Sequence, residues 1–202
     1  MLDLIPNTII QVFLKVDREL KDIVLMKSNQ IQWKKYSEKY GFKYILITDD
    51  NYQEYIEGYD EFYENLRYTW NKIDFIRYLA INKIGGIYFD LDMEPLRDIF
   101  CLLRDRYIIG SWKNSRGKYE KSNSIIGSRK GGLTPLIEYS IQEYREKSCM
   151  KIYESWERRF MLQTTGVRMF KRWCKMEKIH HTQKISDYVK DYEAKSWITN
   201  FG

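Results

Sequence analysis

The 202-residue chain is 44% hydrophobic and 31% charged, with 34 Lys and Arg against 28 Asp and Glu and a net charge of +6. That length gives enough material for a substantial core, and no apolar stretch approaches the length of a membrane span. Cys101, Cys149 and Cys174 are odd in number, far apart and without a C-x-x-C, so neither a disulfide framework nor a structural zinc site is implied, and a reducing compartment fits. Residues 1–202 suit one α/β domain.

Charge is unevenly spread. Residues 1–100 hold 13 basic against 17 acidic side chains and residues 101–202 hold 21 against 11, so the halves stand at −4 and +10. A basic half can attract nucleic acid, an anionic membrane surface or a phosphorylated ligand. The clusters Arg104/Arg106, Lys113/Arg116/Lys118/Lys121 and Lys171/Arg172/Lys175 each read first as solvated faces. The start, Met-Leu-Asp-Leu-Ile-Pro, lacks the basic and apolar regions of a secretion signal. The expected location is cytoplasmic, with peripheral membrane contact allowed.

In chain order, residues 8–14 form an apolar, β-branched run that predicts a buried first strand. A helix follows at about 27–40, closed by Gly41, and residues 42–48 predict a second strand ending on Asp49-Asp50. Strand, helix, strand implies a parallel crossover. Residues 51–70 are acidic and tyrosine-rich and predict a short helix and loop. Ile73, Ile76, Leu79, Ala80 and Ile84 recur at helical spacing, and Gly85-Gly86 supplies the left-handed stop before the strand Ile87-Tyr88-Phe89. Two further strands are predicted at 107–110 and 124–127, and helices at 133–147, 155–162 and from Thr165-Gly166 to Glu177.

The chemistry concentrates in residues 71–95. Asp90 and Asp92 are one residue apart, and on an extended backbone both would point to one side while Leu91 points to the other. Two adjacent carboxylates raise each other's pKa, and a bound Mg²⁺ or Mn²⁺ reverses that penalty while leaving room for water and phosphate oxygens. Asp74 and Arg77 lie three apart on one helix face, as a surface ion pair would, yet they begin the unit that ends in the carboxylate pair. Ligands in open α/β sheets sit at the carboxyl ends of strands, where Phe13, Asp49, Asp90 and Asp92 fall.

With these residues placed, the chain resembles the glycosyltransferase family 32 group, whose sugar-binding region contains a D-x-D motif, and more distantly the clostridial glucosylating toxins. The match runs through Asp74-x-x-Arg77 and Gly85-Gly86-Ile87-Tyr88-Phe89-Asp90-Leu91-Asp92, and extends to Ile5-Pro6, Gln11, Asn123-Ser124-Ile125-Ile126-Gly127, Thr164-Thr165-Gly166 and Ser196-Trp197. Ile10 and Phe13 stand where the family often has His and Trp, and Asp191-Tyr192-Glu193-Ala194-Lys195 lacks a His common there. The resemblance implies a GT-A fold, Rossmann-like, with a mostly parallel sheet flanked by helices. It further implies a metal-dependent retaining transfer of a hexose from a UDP- or GDP-sugar to a glycan, lipid-linked saccharide or protein acceptor.

The roles it implies are specific. Asp92 ligates Mn²⁺ or Mg²⁺, and Asp90 holds the ribose or a second metal position. Asp74 and Arg77 grip the donor sugar, and Asn123 lies near it. Phe13 lies against the base, with Gln11 on the same first strand also in the substrate site, and Ser196 with Trp197 closes over the diphosphate. Two other readings stay open: a haloacid-dehalogenase-like phosphatase, disfavoured by Met93-Glu94-Pro95 after the aspartates, and a basic non-enzymatic nucleic-acid-binding domain, which leaves the carboxylate pair unexplained.

Overall fold

A computed structural model describes residues 4–16, 20–114, 116–150 and 157–192. Its centre is a six-stranded sheet built from β1 (Thr8–Phe13), β2 (Lys43–Thr48), β3 (Gly86–Phe89), β5 (Tyr107–Lys113), β6 (Tyr119–Ser128) and β7 (Gln183–Lys184), in the order β2-β1-β3-β6-β5-β7. The neighbours β1–β2, β1–β3 and β5–β7 run parallel, and β6 alone is reversed, so the sheet is mostly parallel. The predicted crossover is the β1-α1-β2 unit, with α1 (Leu20–Tyr40) longer at its start than the sequence pattern indicates. The two strands predicted after the carboxylates are the arms of one antiparallel hairpin.

Alternation along the strands supplies two cores. Ile10, Tyr88, Ile109 and Ile126 face one side, packed by α4 (Thr69–Ile84), α5 (Thr134–Ser148), α6 (Glu157–Thr164) and α7 (Val167–Met176). Ile9, Ile87, Ile108 and Ile125 face the other, against Trp33 and Tyr36 of α1. Each such side chain removed from water contributes roughly 1.5–3 kcal/mol. The acidic, tyrosine-rich stretch forms two short helices, α2 (Gln53–Ile56) and α3 (Asp60–Glu64).

The glycine turn behaves as the sequence predicts. Gly85 and Gly86 have φ of +73° and +122°. A Cβ on Gly86 would meet the Thr8 carbonyl oxygen at 2.5 Å, so β3 can lie against β1 only because no side chain is there. One element has no signal in the sequence: β4 (Met93–Pro95) pairs antiparallel with β8 (Val189–Asp191) in a small second ribbon. It brings the far end of the described chain beside the carboxylate pair.

Candidate active site

The pair Asp90-Leu91-Asp92 does not extend β3. It forms a turn in which the Met93 amide donates to the Asp90 carbonyl at 3.2 Å, so the geometry of an extended strand does not apply and Leu91 shares the cleft wall with both aspartates. Helix α1 holds this turn from behind. Asn29 donates to the carbonyl of Leu91 at 3.0 Å, Trp33 Nε1 to Met93 at 2.8 Å and Tyr36 to Arg97 at 3.2 Å. Residues 29, 33 and 36 lie on one helix face, which is how a helix can satisfy a run of strand carbonyls that find no sheet partner.

In front of the turn is a cleft of about 360 Å³, within the range of small-ligand sites. Its wall includes Asp74, Arg77, Asp90, Asp92 and Asn123, so five of the residues singled out in the sequence meet there. The Asp74–Arg77 pair is no surface ion pair: their side chains are 17% and 7% exposed. The Arg77 guanidinium lies 3.1 Å from Asp74 Oδ1, donates to Asp90 Oδ1 at 3.1 Å and to the Asn123 carbonyl at 3.0 Å, and sits over the Tyr88 ring at 4.5 Å. Asn123 Nδ2 in turn donates to Asp74 Oδ1 and to the Tyr78 hydroxyl, both at 2.9 Å. Tyr78 donates to the Thr165 carbonyl at 2.8 Å, and the Thr165 hydroxyl reaches Asp74 Oδ2 at 3.4 Å. The network therefore closes on itself.

Burial raises the Asp74 carboxyl above its ordinary value, against the opposing pull of Arg77, Asn123 and Thr165. Burial likewise raises Asp90, opposed by Arg77 and by the Tyr88 hydroxyl, which donates to Asp90 Oδ1 at 2.6 Å. Tyr88 belongs to the site although only its place in the strand was evident from the sequence.

Other expected residues are placed differently. Gln11 is fully buried and does not line the cleft: its amide donates to the Asp90 carbonyl at 3.3 Å and accepts from the Tyr44 hydroxyl at 2.8 Å. It props the turn from below, a different job from touching substrate. Phe13 is partly buried at the end of β1 and is not among the lining side chains, whereas Val12 before it is. Asp49 accepts the Lys15 amide at 2.8 Å and lies away from the cleft. Ser196 and Trp197 fall outside the described residues. Among the lining residues that the sequence did not mark as part of a site are Trp112 on β5, Lys171 on α7 and Asp191 on β8.

The donor set suits a hard divalent cation of one kind. Among the described residues no cluster of three or more His, Cys, Asp or Glu side chains could hold a metal alone. Asp90 and Asp92 offer carboxylate oxygens on one wall, which matches a Mg²⁺-like ion held by one or two carboxylates and completed by phosphate oxygens and water.

Comparison with known proteins agrees with this geometry. Residues 21–116 match the family model described as glycosyltransferase sugar-binding region containing DXD motif. Inositol phosphoceramide mannosyltransferase 3 of Schizosaccharomyces pombe is 32% identical over 94 residues, covering 45% of this chain and 25% of that protein. Mannosyl phosphorylinositol ceramide synthase of Saccharomyces cerevisiae is 34% identical over 97 residues, covering 43% and 23%. The matches thus take in about a quarter of the length of these relatives. Among solved structures, the PaToxG glycosyltransferase superposes with a TM-score of 0.57 at 16% identity, over 87% of this chain and 70% of that one, a likeness of fold. Residues 21–116 are thus similar to glycosyltransferase sugar-binding regions containing a DXD motif, and the chain carries them on a GT-A fold.

Proposed function

We propose that this chain transfers a hexose from a nucleotide-diphosphate sugar to an acceptor hydroxyl, with retention of anomeric configuration and with Mn²⁺ or Mg²⁺. The observation that carries the reading is the closed network Asp74–Arg77–Asp90–Asn123 on the wall that also holds Asp92. A buried acid–guanidinium–amide ring on the cleft wall supports a reading in which its remaining carboxylate and amide oxygens meet a polyol, and neither a phosphatase nor a nucleic-acid binder accounts for it as directly.

The roles follow from placement. Asp74 and the side-chain carbonyl of Asn123 offer acceptors to sugar hydroxyls, held rigid by Arg77, Tyr78 and Thr165, and such preorganisation lowers the cost of positioning the donor. Asp92, with Asp90, would hold the metal. A bound divalent ion would supply the positive charge that stabilises a departing diphosphate. Lys171 lines the same cleft, its ammonium paired with Glu120. The base is read at the β1 end, where Val12 and Met26 line the wall and Phe13 closes the strand. The acceptor is a glycan, a lipid-linked saccharide or a protein hydroxyl, and the names of the two yeast relatives put mannose first among the sugars to try.

A thermal-shift screen of UDP- and GDP-sugars, each with and without Mn²⁺, tests this by mass action. One donor should raise the midpoint strongly and only with metal, and should then release its nucleoside diphosphate on incubation with acceptor mixtures. No stabilising donor and no nucleotide release across the panel would overturn the reading. Phe13→Leu serves as a check on the base position: loss of a stacking face is worth about 1–3 kcal/mol of nucleotide affinity, and unchanged affinity would assign the ring to the core.

A further inference from the structure

We propose that the tip of the β5–β6 hairpin is a docking face for an anionic phospholipid surface. The register pairs Lys113 with Tyr119, which places both on one face of the hairpin, and the Lys184 ammonium lies 5.3 Å above the Tyr119 ring. Lys113, Lys184 and the turn residues Arg116 and Lys118 are all exposed, and Tyr119 is 50% exposed. The turn is built to hold them out. Asn114 Oδ1 accepts the amides of Arg116 at 2.9 Å and Lys118 at 3.0 Å, and Gly117, at φ +75°, completes the bend.

Little acid offsets this charge. The hairpin, residues 107–128, contains one carboxylate, Glu120, which is bonded to Lys171 and Asn114 and feels Arg116 only through its charge, on the strand face opposite Lys113 and Tyr119. Four exposed cations around a half-exposed tyrosine match a negatively charged surface with an apolar layer beneath, since Lys and Arg meet the headgroups while an amphipathic ring settles at headgroup depth. The Lys184 ammonium already covers one face of the ring, an arrangement that suits an interfacial side chain better than an open platform for stacking bases.

Trp112 is 43% exposed and precedes Lys113 on the same strand, and it lines the cleft. It is the one exposed large hydrophobic side chain of the described residues that does so. Strand alternation sets Trp112 on the face opposite Lys113 and Tyr119, so a chain resting on the basic face holds its cleft open to the side away from the headgroup layer. Among the described residues no helix is long and apolar enough to cross a membrane, so surface attraction is the means this region offers.

The test is co-sedimentation of the chain with vesicles of phosphatidylcholine alone and of phosphatidylcholine with phosphatidylserine, at low and high salt. This readout is independent of catalysis, so it can fail while the transferase reading stands. Binding is expected to the anionic vesicles only and to fall steeply with salt. The triple variant Lys113→Gln, Arg116→Gln, Lys118→Gln should bind about tenfold more weakly or worse, with an unchanged melting temperature to show it is folded, and Tyr119→Ala should weaken binding further. Equal binding to neutral vesicles, binding to neither, or wild-type affinity in the triple variant would overturn the proposal. So would tighter binding to a single-stranded oligonucleotide than to anionic vesicles, in favour of nucleic acid.

Discussion

Asn123 donates its side-chain amide to Asp74 Oδ1 at 2.9 Å, joining β6 to α4 across 49 residues of chain. The same amide reaches the Tyr78 hydroxyl one helical turn further on, so Asn123 ties two positions of α4 to the sheet. Asp74 consequently has its near oxygen fixed by Arg77 and Asn123 and its far oxygen approached by Thr165. A carboxylate held on both sides meets a sugar without reorganising.

Replacing Asp74 separates this role from a surface pair. Asp74→Ala would strip Arg77 of one of two carboxylates and leave Asn123 with an unused donor in a buried place. Removing one partner of a buried pair costs about 3 kcal/mol, or roughly 10 °C in a chain of this size. Asp74→Asn keeps the acceptor for Asn123 and lets the Thr165 hydroxyl turn to accept, so its melting temperature should fall far less while transfer is still lost. Calorimetry with donor turnover decides this: a surface-pair role would leave both variants near wild type in both measurements.

Local pattern made most of the sheet and half of the site legible. The apolar runs at residues 8–14 and 87–89, the helical spacing of 73–84 and the paired glycines marked β1, α4, its stop and β3, because each signal lies within one element. Asp74, Arg77, Asp90 and Asp92 are near one another in sequence for the same reason. Strands β4 and β8 are three residues each and gain their stability from pairing across nearly a hundred residues, so no periodicity marks them. Trp112, Lys171 and Asp191 reach the cleft from three elements that tertiary packing assembles. Gln11 shows the opposite limit: its place on the first strand was evident, but only the bonds to Asp90 and Tyr44 reveal that it faces inward.

The cysteines yield a prediction on reactivity and its pH dependence. Cys101 and Cys149 are exposed, and Cys174 is buried in the helix-covered core, where desolvation pushes its thiol up to about 12. The thiolate is the reactive form, so a thiol reagent at neutral pH should modify two cysteines of the native chain promptly and the third only on unfolding. Because the folded thiol titrates above the ordinary 9.0, the stability tied to its protonated form is complete below about pH 9 and is lost as pH rises toward 12. Mass spectrometry of the labelled native chain showing Cys174 modified as fast as Cys101 would contradict this.

Asp92 is expected to carry the metal's response. Its backbone carbonyl accepts the Tyr192 amide at 3.1 Å, a bond that does not depend on the side-chain charge, so Asp92→Asn should fold normally. Asp90 Oδ1 is engaged by Arg77 and Tyr88, and Asp92 lines the same cleft wall. In the wild type, Mn²⁺ together with a nucleoside diphosphate should raise the melting temperature, and excess EDTA should abolish both that rise and turnover. Asp92→Asn should lose the metal-dependent rise and at least about a hundredfold in rate. A variant that keeps the Mn²⁺ shift would return Asp92 to an ordinary surface acid.

Asp191 decides the stereochemical question. An inverting transfer needs a general base on the acceptor side, and such a group typically contributes 10²–10⁴-fold. The cleft-lining acids are Asp74, Asp90, Asp92 and Asp191, of which the first three are assigned to sugar and metal. Asp191 is exposed, and its strand register sets it opposite Met93, one residue past the carboxylate pair. Retention requires no dedicated base, because the departing phosphate oxygen can take the acceptor's proton while the surrounding cations stabilise the separating charge. Asp191→Asn should therefore lower the rate by less than about tenfold, leave the alkaline and acid limbs of the pH–rate profile in place, and still yield an α-linked product from an α-linked donor. NMR of the first product formed gives the anomeric coupling directly. A β-linked product, together with a loss of about a hundredfold or more in Asp191→Asn, would instead make Asp191 the base of an inverting enzyme.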